Sequence, residues 1–578
     1  LGRLFMRDRF LITTLSLLFI LIIAGLFFNQ VLLSGYYSKL SRNNSIRVIP
    51  ISGTRGNIFD RTGRPLVTNR LSFDVAIIFQ EIGDRRKLVN LLKRELGFSG
   101  VQIMRALEKA GNRPYEPVTI AEDIDKEKAL ALEESSFDVS GLIIETRSRR
   151  NYLYKHFGCH IFGYLGEVTA NELETLKDYG YRMKDLIGRD GLEKYYESYL
   201  RGADGGIQVE VDSRGHQTRI LGLKEPQSGQ NLQLTIDMSL QLVCDKLLGD
   251  HKGAILVMDP RNGEILALAS HPTFDPNTFV RSGTSQNRLK LLNDKVGRPM
   301  SNKAISGIYS PGSVFKIVTA SAALEQKKIT PYTRFFCSGS YNLGHTQFDC
   351  WKKGGHGPQN IVEGIMNSCN VFFYNTGRAL GVDRLELYTR FFGYGKATGI
   401  DLTDEVKGIV PGKGWKRSHK KGAWYEGETL NYAIGQGYLS VTPIQVLNMI
   451  SAIANNGNLV RPHLVRRVGA NDLQNQKPKK IGLKDGTIRE VRKGLFEAVN
   501  NESGTAKRSK PAGTIAAGKT GTAQNPQGRT HAWFCGFAPY NDPKLCLVVF
   551  LEHGGKGGLE PAEIARGVFE AAKAGGYL

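Results

Sequence analysis

From Phe10 to Phe28 the chain reads FLITTLSLLFILIIAGLFF without one charged residue, an apolar run of about the 20 residues that cross a bilayer as a helix. Beyond it the hydrophobic pattern shortens and changes period. Apolar residues at helical spacing predict amphipathic helices over Leu88 to Leu96, Val101 to Leu107 and Asp125 to Glu134, with a break at Gly97 to Gly100 between the first two. GLIIETRSRRNYLY, from Gly141, reads as a strand followed by a charged turn. TRGNIFDRTGRPLVTN, Thr54 to Asn69, sets Gly and charged residues where turns fall and apolar ones between, a β-rich segment. Between Ile187 and Gly205 the residues Leu192, Tyr195, Tyr196 and Tyr199 share a helical face and are expected to be core. GGIQVEVDSRGHQ and NLQLTIDMSLQ alternate as strands, and the main boundary is placed between them, near Gly229.

After that boundary the pattern is that of one large α/β unit. GAILVMDPRNGEILALAS, Gly253 to Ser270, predicts a strand pair around the turn dipeptide Asn262-Gly263. Ala304 to Leu324 leads into an apolar helix. HAWFCGFAPY and LCLVVFLEHG read as two more strands, joined by a turn at Asn541 to Lys544. Strands at both ends with helices between imply a central antiparallel sheet covered by helices. The expected organisation is a cytoplasmic tail over residues 1–9, a transmembrane helix over 10–33, an elongated mixed α/β pedestal over 34–229, and a second α/β domain over 230–578.

Composition refines this picture. The 578 residues are 41% hydrophobic, enough for at least two packed cores beside the membrane run. Arg3, Arg7 and Arg9 precede that run, which predicts a cytoplasmic N-terminus and the functional mass of the chain outside the cytoplasm. The run exceeds the apolar stretch of a cleaved signal and is followed by no A-x-A-like site, so it is read as a single-pass anchor. A net charge of +22 raises nucleic acid as a partner, but no zinc-finger, RNP or basic-helix pattern supports it. Anionic headgroups or a carboxylate-rich substrate suit an exported basic protein better. The basic clusters KGWKRSHKK and QKPKKIGLK read as solvated loops.

Within the apolar helix the sequence YSPGSVFKIV carries Ser313 and Lys316. Residues three apart on a helix are neighbours. A lysine in an apolar setting loses its charged form to desolvation and becomes a base for a hydroxyl nucleophile. Pro311-Gly312 puts Ser313 near a helix start, where free N–H groups can hold an oxyanion. Ser-x-x-Lys alone is common, but MNSCNVFFY adds Ser368-x-Asn370 and AAGKTGTAQN adds Lys519-Thr520-Gly521-Thr522. The three stand in the order found in serine acyl-transfer enzymes that penicillin acylates. On this reading Ser368 relays a proton between Lys316 and the leaving amine, Asn370 holds the acyl side of a peptide, and Lys519 attracts a terminal carboxylate. Gly521 admits the substrate backbone, and the N–H groups of Ser313 and Thr522 form the oxyanion hole.

With these motifs the sequence resembles the class B penicillin-binding proteins over almost its whole length. RGNIFDRTGRPL (Arg55, Gly56, Asp60, Arg61, Gly63), HIFGYLGEV (His160, Gly163, Gly166), GRDGLEKYYE (Gly188, Gly191, Glu193) and GQGYLSVTPIQ (Gly435 to Gln445) also carry the resemblance. It implies a membrane anchor, a non-penicillin-binding pedestal, and a serine β-lactamase-like domain that cross-links peptidoglycan stem peptides without a cofactor. FDCWKKGGHG and the short C-terminal end resemble the elongation-specific penicillin-binding protein 2 branch, the division-specific branch being the alternative. The resemblance further implies a SEDS glycosyltransferase of the RodA type and the elongation machinery as partners.

Seven cysteines, Cys159, Cys244, Cys337, Cys350, Cys369, Cys535 and Cys546, cannot all pair internally. Cys337, Cys350, His356 and Cys369 have the ligand types of a closed tetrahedral zinc site, with His345 and Asp349 in reserve. A disulfide or simple buried thiols are the alternatives. Zinc beside the active site is also what some elongation-type relatives imply by resemblance. A class A β-lactamase would need a glutamate four residues before Asn431, where Gly427 stands. A D,D-carboxypeptidase shares all three motifs, and a pedestal that activates a partner, through Arg55, Asp60 and Arg61, is a separate binding role.

Overall fold

The computed structural model describes all residues except 1, 116, 137–138, 184, 212–216, 474–475 and 527. A helix runs over Gly2–Phe27, and the stretch Arg9–Leu32, with mean hydropathy 2.7 and no buried share, is long and apolar enough to span a membrane. The arginines Arg3 and Arg7 lie where side chains fall outside the described residues.

Contacts divide the chain into two compact units. The first comprises residues 1–54, 71–148 and 202–228, the second 55–70, 149–201 and 229–578. In the first, Ile46–Ile51, Gly205–Val211 and Gln217–Lys224 form an antiparallel three-stranded sheet. The remaining residues of the GGIQVEVDSRGHQ strand, 212–216, lie outside the described residues. Helices Arg85–Leu96, Gly100–Gly111 and Lys126–Ser136 occur where the periodicity predicts them. Asp84 caps the first by accepting from Arg86 N and Lys87 N, and Ser99 with Gln102 forms a capping box on the second. Their apolar faces bury Leu88, Leu92, Ile103 and Leu132 with Val75 and Ile77.

The second unit holds the large α/β core. Its main elements are α1 (Met238–Leu248), β1 (Gly253–Met258), β2 (Ile265–His271), α2 (Lys316–Glu325), α3 (Asn370–Leu380), α4 (Lys413–Lys420), α5 (Pro443–Ala454), α6 (Asp485–Asn500), β3 (Ala517–Ala523), β4 (His531–Ala538), β5 (Leu545–Leu551) and α7 (Glu560–Ala574). The sheet order is β2-β1-β5-β4-β3, antiparallel throughout. Both faces are covered, so β1, β4 and β5 read as nearly unbroken apolar runs. Strand alternation sends Ile255, Val257, Leu547 and Val549 to the face packed by α1 and α7. Leu256, Met258, Val548 and Trp533 go to the other, where α5 and α6 pack.

Four expectations change. NLQLTIDMSLQ is a strand only over Leu232–Leu234; Asp237 then caps α1, which takes up its last residues. GLIIETRSRRNYLY stays one strand over Leu142–Tyr152, so its charged residues lie in the strand and not in a turn. The tyrosine stripe is not one core face: the helix breaks at Tyr196 into Gly191–Tyr195 and Glu197–Leu200. Leu192 and Tyr196 are buried, while Tyr195 and Tyr199 are exposed by 43% and 48%. The change of direction at Tyr196 rotates the stripe apart. KGWKRSHKK is a helix, α4, not a loop; it buries Lys416 and half-buries Trp415, and that single apolar contact per turn is too sparse to register as periodicity.

Candidate active site

Gly312–Phe315 forms a tight 3-10 turn that runs directly into α2. Gly312 has φ +55, and a Cβ there would lie 2.6 Å from Thr522 O. The turn bearing Ser313 therefore lies against β3 at a separation that only glycine permits. Gly521 allows the same approach from the strand side, its Cβ position being 3.0 Å from Pro311 O. Gly312 N–H donates to Gly435 O at 2.9 Å, and Trp533 Nε1 donates to Ser310 O at 3.1 Å.

Lys316 is fully buried at the start of α2. Its Nζ donates to Asn370 Oδ1 at 2.7 Å, to Ser368 O at 2.8 Å and, at 3.4 Å, to Ser368 Oγ. Burial lowers its pKa to about 8, against the opposing pull of Cys369 and Cys350. Ser368 is held at φ +52, left-handed for a non-glycine residue, where Cys369 turns the chain into α3 by accepting from Phe372 N. Asn370 Nδ2 donates to Asp349 O at 3.1 Å, which leaves its carbonyl oxygen facing the lysine. Lys316, Ser368 and Asn370 thus form one hydrogen-bonded group.

β3 is the outer strand of the sheet, so one edge of Lys519-Thr520-Gly521-Thr522 has no strand partner among the described residues, the arrangement an extended peptide uses when it adds to a sheet. Alternation puts Lys519 on the face it shares with Ala517 and Ala523. Its ammonium is fully buried and donates to Thr520 O at 2.9 Å. Burial first, then the neighbouring charge of Lys316, pushes its pKa well below the usual value. Burial and Lys316 thus disfavour the charged form of Lys519, and an arriving carboxylate would restore it by supplying the missing counter-charge. Thr522 is exposed and Thr520 buried.

Cys337, Cys350, His356 and Cys369 converge, with all four candidate ligand atoms within 4.8 Å of one another. His356 Nδ1 is 3.6 Å from both Cys337 Sγ and Cys350 Sγ. A tetrahedral zinc with bonds of about 2.3 Å to sulfur and about 2.0 Å to nitrogen separates its ligands by roughly 3.5–3.8 Å. The residues present therefore fit such an ion. Backbone bonds build the pocket: His356 N to Cys337 O at 3.1 Å and Cys350 N to Gly339 O at 2.8 Å. All seven cysteines are free thiols. His345 and Asp349 do not join the cluster; Asp349 instead presents its backbone carbonyl to Asn370 and Tyr374. Cys369 lies between Ser368 and Asn370, so the cluster and the Lys316 acceptors share one segment of backbone.

Two contacts escaped the reading of the sequence, although Gln436, Arg55 and Glu193 lie in motifs that it quoted. Gln436 Nε2 donates to Thr522 O at 3.5 Å, which ties the Gly435–Tyr438 loop to β3. Glu193, fully buried, receives Arg55 Nε at 2.6 Å and Arg150 Nε at 2.7 Å. Burial raises the Glu193 pKa, but the two guanidiniums outweigh it and hold the carboxyl below its usual range. Arg55 and Glu193 stand in distinctive motifs, whereas Arg150 lies in an ordinary charged run and carries no sequence signal.

Residues 253–570 match the family model described as the penicillin binding protein transpeptidase domain, and residues 50–234 match the penicillin-binding protein dimerisation domain. The chain is similar to the peptidoglycan D,D-transpeptidase MrdA of Salmonella typhimurium, 34% identical, with 95% of this chain and 93% of the relative covered. It is similar in structure to the penicillin-binding protein PBP2 of Helicobacter pylori solved in complex with MreC. That match has a TM-score of 0.81 at 30% identity and covers 92% of this chain and 99% of the other. A chain of a peptidoglycan synthase complex, solved in a study of coordinated polymerization and crosslinking, matches with a TM-score of 0.76 at 32% identity over 98% of each chain.

Proposed function

Because the chain belongs to the class B penicillin-binding proteins of the elongation type, we propose that Ser313 is the acyl-accepting nucleophile of its peptidoglycan D,D-transpeptidase reaction. The observation that carries this reading is the grouping of Lys316 Nζ with Ser368 and Asn370, beside a Ser313 turn pressed onto the free-edged strand β3. A donor stem peptide pairs as an extended strand along β3, its terminal carboxylate drawn to Lys519 and Thr520. Neutral Lys316 takes the Ser313 hydroxyl proton as Oγ attacks the penultimate D-alanyl carbonyl. The oxyanion is held by the N–H groups of Ser313 and Thr522. Ser368 passes the proton to the departing D-alanine amine, and Asn370 holds the acyl-side amide. An amine of a second stem peptide then attacks the acyl-enzyme and frees Ser313. A β-lactam acylates the same oxygen by opening its ring. Acyl transfer of this kind requires no cofactor.

Zinc held by Cys337, Cys350, His356 and Cys369 would fix the backbone on either side of Cys369. It leaves no open ligand position, so its part is structural. The transpeptidase domain is assigned to residues 230–578 and the pedestal to 34–229, with the N-terminus in the cytoplasm and the enzyme outside the inner membrane. The elongation machinery, including a SEDS glycosyltransferase of the RodA type, is the proposed partner; the similarity to the MreC-bound protein and to the synthase complex supports this.

Intact-mass spectrometry of wild type and Ser313→Ala after incubation with benzylpenicillin tests the assignment. A stable adduct on the wild type alone is expected. An adduct on both would move the nucleophile elsewhere, and rapid loss of the adduct would indicate hydrolysis instead of transfer.

A further inference from the structure

We propose that α4 and Tyr438 form a second substrate-binding surface, a cationic and aromatic platform that holds an un-cross-linked peptidoglycan strand beside the Ser313 centre. It would bind the carboxylates of the stem peptides and the rings of the sugars. The proposal rests on the transpeptidase reading above and names where the polymer lies.

The platform is built, not merely exposed. Lys416 is buried, and its Nζ donates to Ala423 O at 2.6 Å and to Glu428. That anchor fixes the rotation of α4 and turns Arg417, Lys420 and the following Lys421 to solvent. Lys413 is paired with Asp383 at 2.7 Å, but Arg417, Lys420 and Lys421 have no carboxylate partner among the described residues. Three unpaired cations within five residues repel one another, and an arriving anion relieves that repulsion.

Aromatic rings lie among these charges. Trp415 stacks on His419, with centroids 5.1 Å apart and planes 13° apart, and stands 5.3 Å from Tyr438. Lys420 Nζ lies 6.0 Å above the Tyr438 ring. Trp415 and Tyr438 are half-buried; with one side of Trp415 taken by His419 and one side of Tyr438 by Lys420, what remains exposed is the surface against which a sugar ring would pack, and neither ring projects as a wedge suited to a lipid interior.

The platform is linked to the proposed active site through one loop. Tyr438 ends the loop that begins at Gly435, whose carbonyl accepts Gly312 N–H, and that contains Gln436, bonded to Thr522 O. Two residues separate Tyr438 from each contact or fewer. A single peptide terminus needs one cation, which Lys519 supplies. A polymer with a carboxylate on every stem peptide and a sugar between stems matches the spaced charges and rings of α4.

The test uses the full chain in detergent as Ser313→Ala, titrated with fluorescent un-cross-linked peptidoglycan oligomers at low and high salt. The triple substitution Arg417→Glu, Lys420→Glu, Lys421→Glu is expected to raise Kd about tenfold at low salt. The difference should shrink at about 1 M salt, where the screening length falls to about 3 Å. Equal Kd values would overturn the proposal. So would a loss of binding confined to phosphatidylglycerol vesicles, which would make the surface a membrane contact. Benzylpenicillin acylation of the versions that retain Ser313 reports whether the fold is intact. If the triple variant fails to fold, Lys420→Gln with Lys421→Gln is expected to weaken binding in the same direction, and no weakening would overturn the proposal. Failure of the wild type to acylate, with salt-sensitive strand binding retained, would overturn the nucleophile assignment and uphold the platform.

Discussion

Replacing Gly312 by alanine tests whether the turn that carries Ser313 must lie against β3. The substitution has two costs. A left-handed backbone costs an alanine about 1–2 kcal/mol, and at φ +55 Gly312 is in that region. The new Cβ would also stand 2.6 Å from Thr522 O, where ordinary contacts begin at 3.4 Å. Such overpacking costs about 1–3 kcal/mol. To relieve it the turn and strand must part by about 0.8 Å, and a misplacement of about 1 Å costs roughly 100-fold in rate. Gly344 separates the two effects: it has φ +58, but nothing lies within 4 Å of its Cβ position. Gly344→Ala should therefore lower the melting temperature modestly and leave benzylpenicillin acylation near wild type. Gly312→Ala should lower the melting temperature further and slow acylation by about two orders of magnitude. If the two variants acylated at equal rates, the close approach of turn and strand would play no part in positioning Ser313.

Acylation should rise with pH as Lys316 loses its proton, through a midpoint near the pKa of about 8 that burial gives it; a flat stopped-flow profile from pH 6 to 9 would remove Lys316 as the base. Glu193→Gln leaves two guanidiniums facing a neutral amide in a buried site and should destabilise the second unit by roughly 3–5 kcal/mol, measured by denaturant unfolding. Because the folded pKa of Glu193 is depressed, its stabilisation is fully present above the unfolded value of about 4.3 and is lost as pH falls through the lower folded value; Glu193→Gln should flatten the acid limb of stability accordingly. Elemental analysis should find one zinc per chain, lost with Cys337→Ser. Chelation should slow acylation together with metal loss, and a metal-free protein with full acylation would exclude the coupling through Cys369.

The sequence alone determined whatever depends on neighbours along the chain. The apolar run over Phe10 to Phe28 is long enough for a membrane helix whatever follows it. The pedestal helices follow from apolar period and from caps at Asp84 and Ser99. The strand pair around Asn262-Gly263 follows from a turn between apolar runs. Motif order was enough to nominate Ser313, Lys316, Ser368, Asn370 and Lys519, because each residue type suits one chemical task.

Tertiary structure decided what depends on distant segments meeting. Lys316 is bonded to Ser368 and Asn370, 52 and 54 residues away, and its lowered pKa comes from burial that no local pattern encodes. The contact of Gly312 with Thr522 joins segments far apart in the chain, at a separation that leaves no room for a Cβ and that only the backbone positions reveal. Arg150 is a partner of Glu193 only because two charged segments meet in the fold, and the helix at KGWKRSHKK is held in place by Lys416 bonded to Ala423 and Glu428. Local periodicity records which face of an element is buried. It does not record what lies opposite that face, and the distances, charges and pKa values of the site are set there.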